Sequence, residues 1–291
     1  MYTVILNPIS GGNSAKEKLR DLEKLLGERN IEYRVMETGT PWDATVYARE
    51  IAAQKSGGII AMGGDGTFSE VANGIGESET ELIFAPCGTG NDFMRMFALP
   101  KDPIEAVKRQ LDSPIRMIDL GKCNDRYFLN VTGCGFDVDV LVEADRYKDK
   151  ASSLGAYLRG AYSAIKNYRP MDVVVVIDDQ EEIAMQATVI SVGNGRFIGG
   201  GMKAVPGAAV DDGAFDLMIA GKVNKISIYG LLILFTMGKH VHLRRIVTTY
   251  KCRKVRIMRK GMNLEADGEI FRSDDVTLSV VPGALRTRLP R

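Results

Sequence analysis

With 291 residues, 45% of them hydrophobic, and a formal net charge of +1, the chain has material for one large or two ordinary domains and no charge excess suited to nucleic acid. Four scattered cysteines (Cys87, Cys123, Cys134, Cys252) form no CxxC pair, which argues against a disulfide framework or zinc site and for a reducing cytosol. The longest apolar stretch, Ile226 to Met237, falls short of the ~20 residues of a spanning helix. Met1-Tyr2-Thr3 enters an apolar run with no basic n-region, so no signal peptide is expected.

The first third alternates strand and helix signals. Thr3–Leu6 reads as a strand, and Ser14-Ala15-Lys16-Glu17 as a capping box opening a helix to about Leu26. A strand at Tyr33–Met36 and a helix from about Asp43 to Gln54 follow. Next come the short strand Gly57–Met62, a glycine loop, a helix to Ile75 and the strand Leu82–Ala85. Gly88-Thr89-Gly90-Asn91-Asp92 then leads into a helix that Pro100 stops. Repeated βα units of this length predict a parallel sheet covered on both faces, with ligands in the loops at the carboxyl ends of its strands.

From about Ile115 the pattern becomes β-rich. Strands are expected at Arg126–Val131, Val173–Ile177, Ala187–Val192, Ala214–Ile219, Val255–Met258, Leu264–Ala266 and Val276–Val281. Helices interrupt them near Val138–Tyr147 and Leu154–Asn167. The expected architecture is an α/β nucleotide-binding domain (1–118, to which a tail at about 283–291 returns) and a mostly antiparallel β-sandwich domain (119–282), with the site between them.

Gly63-Gly64-Asp65-Gly66-Thr67 is the most informative stretch. It sets a carboxylate in a glycine loop between a strand and a helix start, where free N–H groups and the macrodipole favour phosphate. Thr67 and Glu70 have the spacing of a second capping box. A carboxylate in an anion-attracting loop makes chemical sense with a divalent cation between it and the phosphates. Charge is uneven elsewhere: no acid falls between Asp216 and Glu265, a stretch rich in Lys and Arg. His240 and His242 lie within it and read as surface residues. The apolar helix Ile226–Phe235 reads either as a core helix or as one partly exposed beside these basic residues on an anionic bilayer.

Asn7-Pro8-Ile9-Ser10-Gly11, Gly63 to Thr67, Gly88-Thr89-Gly90-Asn91-Asp92-Phe93 and Asp267-Gly268-Glu269, in this order, resemble the motif set of the soluble bacterial diacylglycerol/lipid kinase family. Val205-Pro206 and Asp211-Asp212-Gly213 with Phe215 add to the likeness. The Gly-Gly-Asp-Gly-Thr element is also shared with NAD kinases and 6-phosphofructokinases, whose nucleotide domains are similar. The resemblance implies an ATP-dependent lipid kinase using Mg²⁺ at an anionic membrane surface, cytoplasmic and peripheral, with a soluble-metabolite kinase like NAD kinase as the alternative. A homodimer is also compatible with it. Nucleotide contacts would come from Asn7, Pro8, Ile9, Ser10, Gly11, Thr38, Gly64, Asp65, Gly66, Thr67, Phe68, Ser69, Glu70 and Thr89. Asp65, Asp92 and Asp119, read as lying just after strands, would cluster around the catalytic Mg²⁺, and Glu269 would be the general base. A structural Mg²⁺ would sit on the Asp212 carboxylate and the backbone carbonyls of Ala209 and Ala214.

Overall fold

The computed structural model describes residues 1–55, 57–147 and 153–290. Four strands, β1 (Tyr2–Leu6), β2 (Tyr33–Glu37), β3 (Gly58–Gly63) and β4 (Glu81–Pro86), lie parallel in the order β2-β1-β3-β4. Successive residues of β3 and β4 are all buried, so these strands read as continuous apolar runs. Ile5, Ile59, Ala61, Leu82 and Phe84 face α2 (Asp43–Ala53) and α3 (Asp65–Ile75). Their neighbours Val4, Leu6, Ile60, Met62 and Ile83 face α1 (Ser14–Glu28) and α4 (Pro103–Leu111). α4 starts where Pro103 follows Asp102, whose carboxylate accepts from the N–H groups of Ile104 and Glu105.

The rest of the sheet is antiparallel. It comprises β5 (Arg116–Cys123), β6 (Arg126–Phe128), β7 (Val131–Gly135), β8 (Met171–Ile177), β9 (Glu181–Gly193), β10 (Phe215–Gly221), β11 (Val247–Cys252), β12 (Lys254–Ala266) and β13 (Glu269–Thr287). Their order is β11-β10-β9-β7-β12-β13, with β8 joining β9 and β12, and β5 on β13. The sheet curls around its own core, where Phe128 and Phe215 stack 5.6 Å apart. Its other face carries α5 (Phe136–Asp145), α6 (Ser153–Asn167) and α7 (Lys225–Thr236). β13 spans 19 residues and serves both halves. It pairs with β12 and β5, shifts register between Val281 and Leu285, and ends with Arg286 and Thr287 parallel to Glu81 and Leu82 of β4. Beyond that short contact β4 has no strand partner on this edge among the described residues. The buried Gln110 side chain supplies one, accepting from Phe84 N at 3.0 Å and donating to Phe84 O at 2.7 Å.

Several local expectations are corrected. The segment after Asp92 is one 3₁₀ turn, Met94–Met96, rather than a helix running to Pro100. Phe93 packs into the core against Phe84, and Phe97 against Phe93. Neither capping box forms. α3 begins three residues early, at Asp65 with Gly64 as its cap, and Thr67 Oγ1 instead accepts from Asn7 Nδ2 at 3.1 Å. Glu70 turns away to accept from the N–H groups of Trp42 and Ala44 at the start of α2. α1 has Asn13 at its cap with no side-chain bond, and Ser14 Oγ points toward carbonyls of Ser10 and Cys87 at 3.5 Å. The segments Val255–Met258 and Leu264–Ala266 belong to one strand, β12. His240 is fully buried rather than at the surface, its Nε2 3.0 Å from Ala204 O and its ring 4.7 Å from that of Phe235. Asp119 lies inside β5, not after a strand end.

Candidate functional site

The loops after β1, β3 and β4 meet at one end of the parallel strands. Their approach is close enough that only glycine fits. A Cβ on Gly64 would lie 3.1 Å from Gly88 Cα, and one on Gly11, at φ 60°, only 2.1 Å from Cys87 O. Gly12 and Gly66 face open space, and Ile9 and Thr89 are exposed, so the loop surface is free for a ligand. Asp65 is the first residue of α3, where unpaired N–H groups point outward. Thr38 closes the end of β2, its N–H and Oγ1 both directed at Leu6 O. Phe68 is different: its ring is fully buried against Phe84, so only its backbone can serve the loop. Ser69 hydrogen-bonds Asp267 and Pro8 is half-buried beside Asn7.

Asp65 and Asp92 come together. The N–H groups of Asp92 and Phe93 donate to the Asp65 carboxylate at 3.0 and 3.3 Å. Asp92 in turn accepts from Gly200 N at 2.7 Å and Arg95 Nε at 3.1 Å. Burial raises the Asp65 carboxyl above the usual carboxylate range, and the nearby Asp92 charge adds to it. Two hard-oxygen donors at a phosphate-attracting helix start fit a Mg²⁺ that takes its remaining ligands from nucleotide phosphates and water. Among the described residues no three acidic, His or Cys side chains form a complete ligand cluster.

These carboxylates form the polar mouth of an apolar cavity of about 300 Å³. Its walls come from β7, β9 and β10, from α5 and α7, and from the Phe197–Met202 loop. Three further acids stand at the mouth: Asp267, from the Asp267-Gly268-Glu269 motif, and two unforeseen from the sequence, Asp137 and Glu265. Asp267 accepts from Leu129 N at 2.7 Å and Asn130 N at 2.9 Å, and burial pushes its carboxyl up to about 6. Glu265 accepts from Gly268 N at 2.9 Å and burial takes it to about 8. Asp137 opens α5, burial raises it to about 6, and its Oδ1 has no hydrogen-bond partner. Asp137 carried the same signal as Asp65, a carboxylate at a glycine-flanked strand-to-helix junction (Gly133-Cys134-Gly135-Phe136-Asp137). For Glu265 the signal was an acid between Leu264 and Ala266 in an apolar strand.

The remaining sequence-derived residues lie elsewhere. Glu269 is half-exposed in a neighbouring hollow with Ser69, Asn73 and Tyr127, and accepts from Arg126 Nη2 at 2.6 Å. That guanidinium lies 4.5 Å from the centre of the Trp42 ring. Asp119 is not with Asp65 and Asp92. It is buried at the bulge of β13, where its two oxygens accept from Gly213 N and Gly283 N, each at 2.8 Å. The Asp212 carboxylate is paired with the Lys251 ammonium, which also meets Asp216 at 2.6 Å. Lys251 thus occupies the one carboxylate of the set formed with Ala209 and Ala214 in this structure.

Comparison with known proteins agrees with this layout. Residues 1–123 match the diacylglycerol kinase catalytic domain, and residues 130–288 match the YegS C-terminal NAD kinase beta sandwich-like domain. A diacylglycerol kinase of Bacillus subtilis (strain 168) is 32% identical over 91% of this chain and 88% of its own. One from Mycobacterium tuberculosis (strain H37Rv) is 29% identical over 99% of this chain and 95% of its own. The crystal structure of a diacylglycerol kinase from Bacillus anthracis str. Sterne superposes with a TM-score of 0.75 over 99% of this chain and 96% of that one, at 21% identity a likeness of fold. With both domains matched along one chain and a relative 32% identical over 91% of it, the chain belongs to the bacterial diacylglycerol kinase family.

Proposed function

We propose that the protein is an ATP-dependent lipid kinase, transferring the γ-phosphate to the hydroxyl of diacylglycerol or a related lipid. One observation carries this reading: an apolar cavity large enough for hydrocarbon opens directly onto the carboxylates at the phosphate-binding start of α3. A soluble dinucleotide acceptor would have no use for such walls. The loops at Asn7–Gly11, Gly64–Glu70 and Thr89, with Thr38, hold the nucleotide through backbone N–H groups and hydroxyls. Mg²⁺ held by Asp65 and Asp92 would neutralise charge on the terminal phosphates as transfer proceeds.

The acceptor hydroxyl enters from the cavity and must lose its proton as it attacks. Glu269 is the proposed general base, and Asp267, anchored by two backbone N–H groups, fixes the turn that carries it. Arg126 holds Glu269 aside, and approach of the nucleotide phosphates would draw that guanidinium away. Membrane-presented substrate agrees with a chain in which, among the described residues, no helix is long and apolar enough to cross a bilayer.

The test is ATP consumption with Mg²⁺ against vesicle-presented lipids and soluble acceptors including NAD, run beside Glu269→Gln and Asp267→Asn. Turnover confined to lipid and reduced at least a hundredfold by Glu269→Gln is expected. Phosphorylation of NAD without lipid would overturn the acceptor. Loss in folded Asp267→Asn with Glu269→Gln active would move the base to Asp267.

A further inference from the structure

α7 is built unlike an ordinary surface helix. Its inner face, Ile228, Leu231, Leu232 and Phe235, lines the apolar cavity. Its outer face is apolar as well: Ile226 is 84% exposed, Tyr229 54%, Ile233 64% and, just past its end, Met237 50%. Spaced three, seven and eleven residues from Ile226, these side chains form one continuous stripe. A soluble helix normally turns polar residues outward, and a contiguous exposed apolar stripe marks a contact surface.

Charge around the stripe identifies the contact. Lys222 precedes α7, Lys225 is its first residue, and Lys239, Arg244 and Arg245 follow it. None of the five pairs with an acidic side chain among the described residues. Among the basic residues farther along, Lys251 is paired with Asp212 and Asp216, Lys254 with Asp179 and Arg256 with Asp275. The unneutralised positive charge brackets the stripe at both ends. A second copy docking there about a twofold axis would set these charges against themselves.

We propose that α7 lies along the surface of an anionic bilayer and is the wall through which the lipid acceptor passes into the cavity. The proposal rests on the lipid-kinase reading and names the element that reaches the membrane. Twelve residues give a helix about 18 Å long, too short to cross a bilayer but suited to lying in its interface with one face about 5–10 Å deep. Because the opposite face already lines the cavity, an acceptor leaving the bilayer has one helix thickness to cross. Gly230, at the middle of the exposed side, lowers helix stability by about 1 kcal/mol relative to alanine, so this wall is locally easy to shift.

The experiment uses the full chain, with co-sedimentation on vesicles of phosphatidylcholine alone or mixed equally with phosphatidylglycerol. Turnover is followed on vesicle-embedded diacylglycerol and on a dispersed short-chain diacylglycerol. Two variants, Ile226→Ser with Ile233→Ser and Lys239→Glu with Arg244→Glu and Arg245→Glu, change only outward-facing side chains; Lys254→Glu is the control. Expected is a tenfold or greater preference of the parent for the anionic vesicles. Both variants should lose at least tenfold in vesicle binding and in turnover on embedded lipid, with turnover on the dispersed lipid within twofold and the control unaffected. Vesicle binding unchanged in both variants would overturn the proposal. So would a concentration-dependent dimer that only the isoleucine variant loses, with vesicle binding intact. If the parent phosphorylates neither lipid form, the kinase reading fails, while the vesicle-binding arms still decide the docking surface.

Discussion

Asp65, Asp92, Asp137, Glu265 and Asp267 crowd one mouth, and burial there is the main influence on the last three carboxyls. Glu265 is the most affected, raised from 4.5 to about 8. In the folded chain it keeps its proton through neutral pH, whereas in the unfolded chain it releases it near 4.5. Its contribution to stability is therefore complete below about pH 4.5 and is lost as pH rises toward 8, on the order of a few kcal/mol. Glu265→Gln should flatten that part of the profile, read by chemical denaturation at pH 5, 6, 7 and 8. Parallel slopes in parent and variant would mean that Glu265 is ionised in the folded chain throughout. The acid was not legible as special because its partners arrive from β7, α5 and the Asp92 loop, far away in sequence. Asp65 was legible, because its loop, its helix start and its glycines are neighbours.

At the scale of elements, burial decided what could be read. In the parallel half β1, β3 and β4 are short, mainly apolar runs between turn residues and β2 is a half-exposed one, and each was placed within a residue or two. The long strands were read only in part. β13 alternates buried and exposed positions and carries Arg272, Ser273, Asp274 and Asp275 in its first half, so its polarity hides its continuity. In α3 the helix starts before Thr67, and a tertiary partner, Asn7, engages its Oγ1 in place of the local bond. Gln110 reverses the relation, since a helix side chain completes a strand. Gln110→Leu keeps the bulk but leaves Phe84 N–H and C=O buried without partners, a loss of about 2–4 kcal/mol by urea denaturation. A change below about 0.5 kcal/mol would mean that the strand edge finds other partners.

For the whole molecule, the sequence-level division into an α/β part and a β part follows the composition, but the connection between them does not. Two strands cross: β5, and β13 with its bulge at Val281–Leu285. Asp119 sits in that bulge and holds Gly213 and Gly283 from opposite sides. Asp119→Asn replaces an acceptor with a donor facing one of those N–H groups. It should destabilise the chain by about 1–3 kcal/mol, with turnover at low temperature nearly intact. Turnover abolished at unchanged stability would return Asp119 to the phosphate end. The sequence could not separate these roles, because an acid preceding Leu-Gly in a β-rich border looks alike in both.

β13 also restricts how the enzyme can work. Kinases with a cleft between jointed lobes swallow their substrates by swinging shut. Here β13 runs through both halves, but its register breaks between Val281 and Leu285 and only Arg286 and Thr287 pair with β4, so narrowing the cleft would have to be taken up at that break, by twisting a hydrogen-bonded strand.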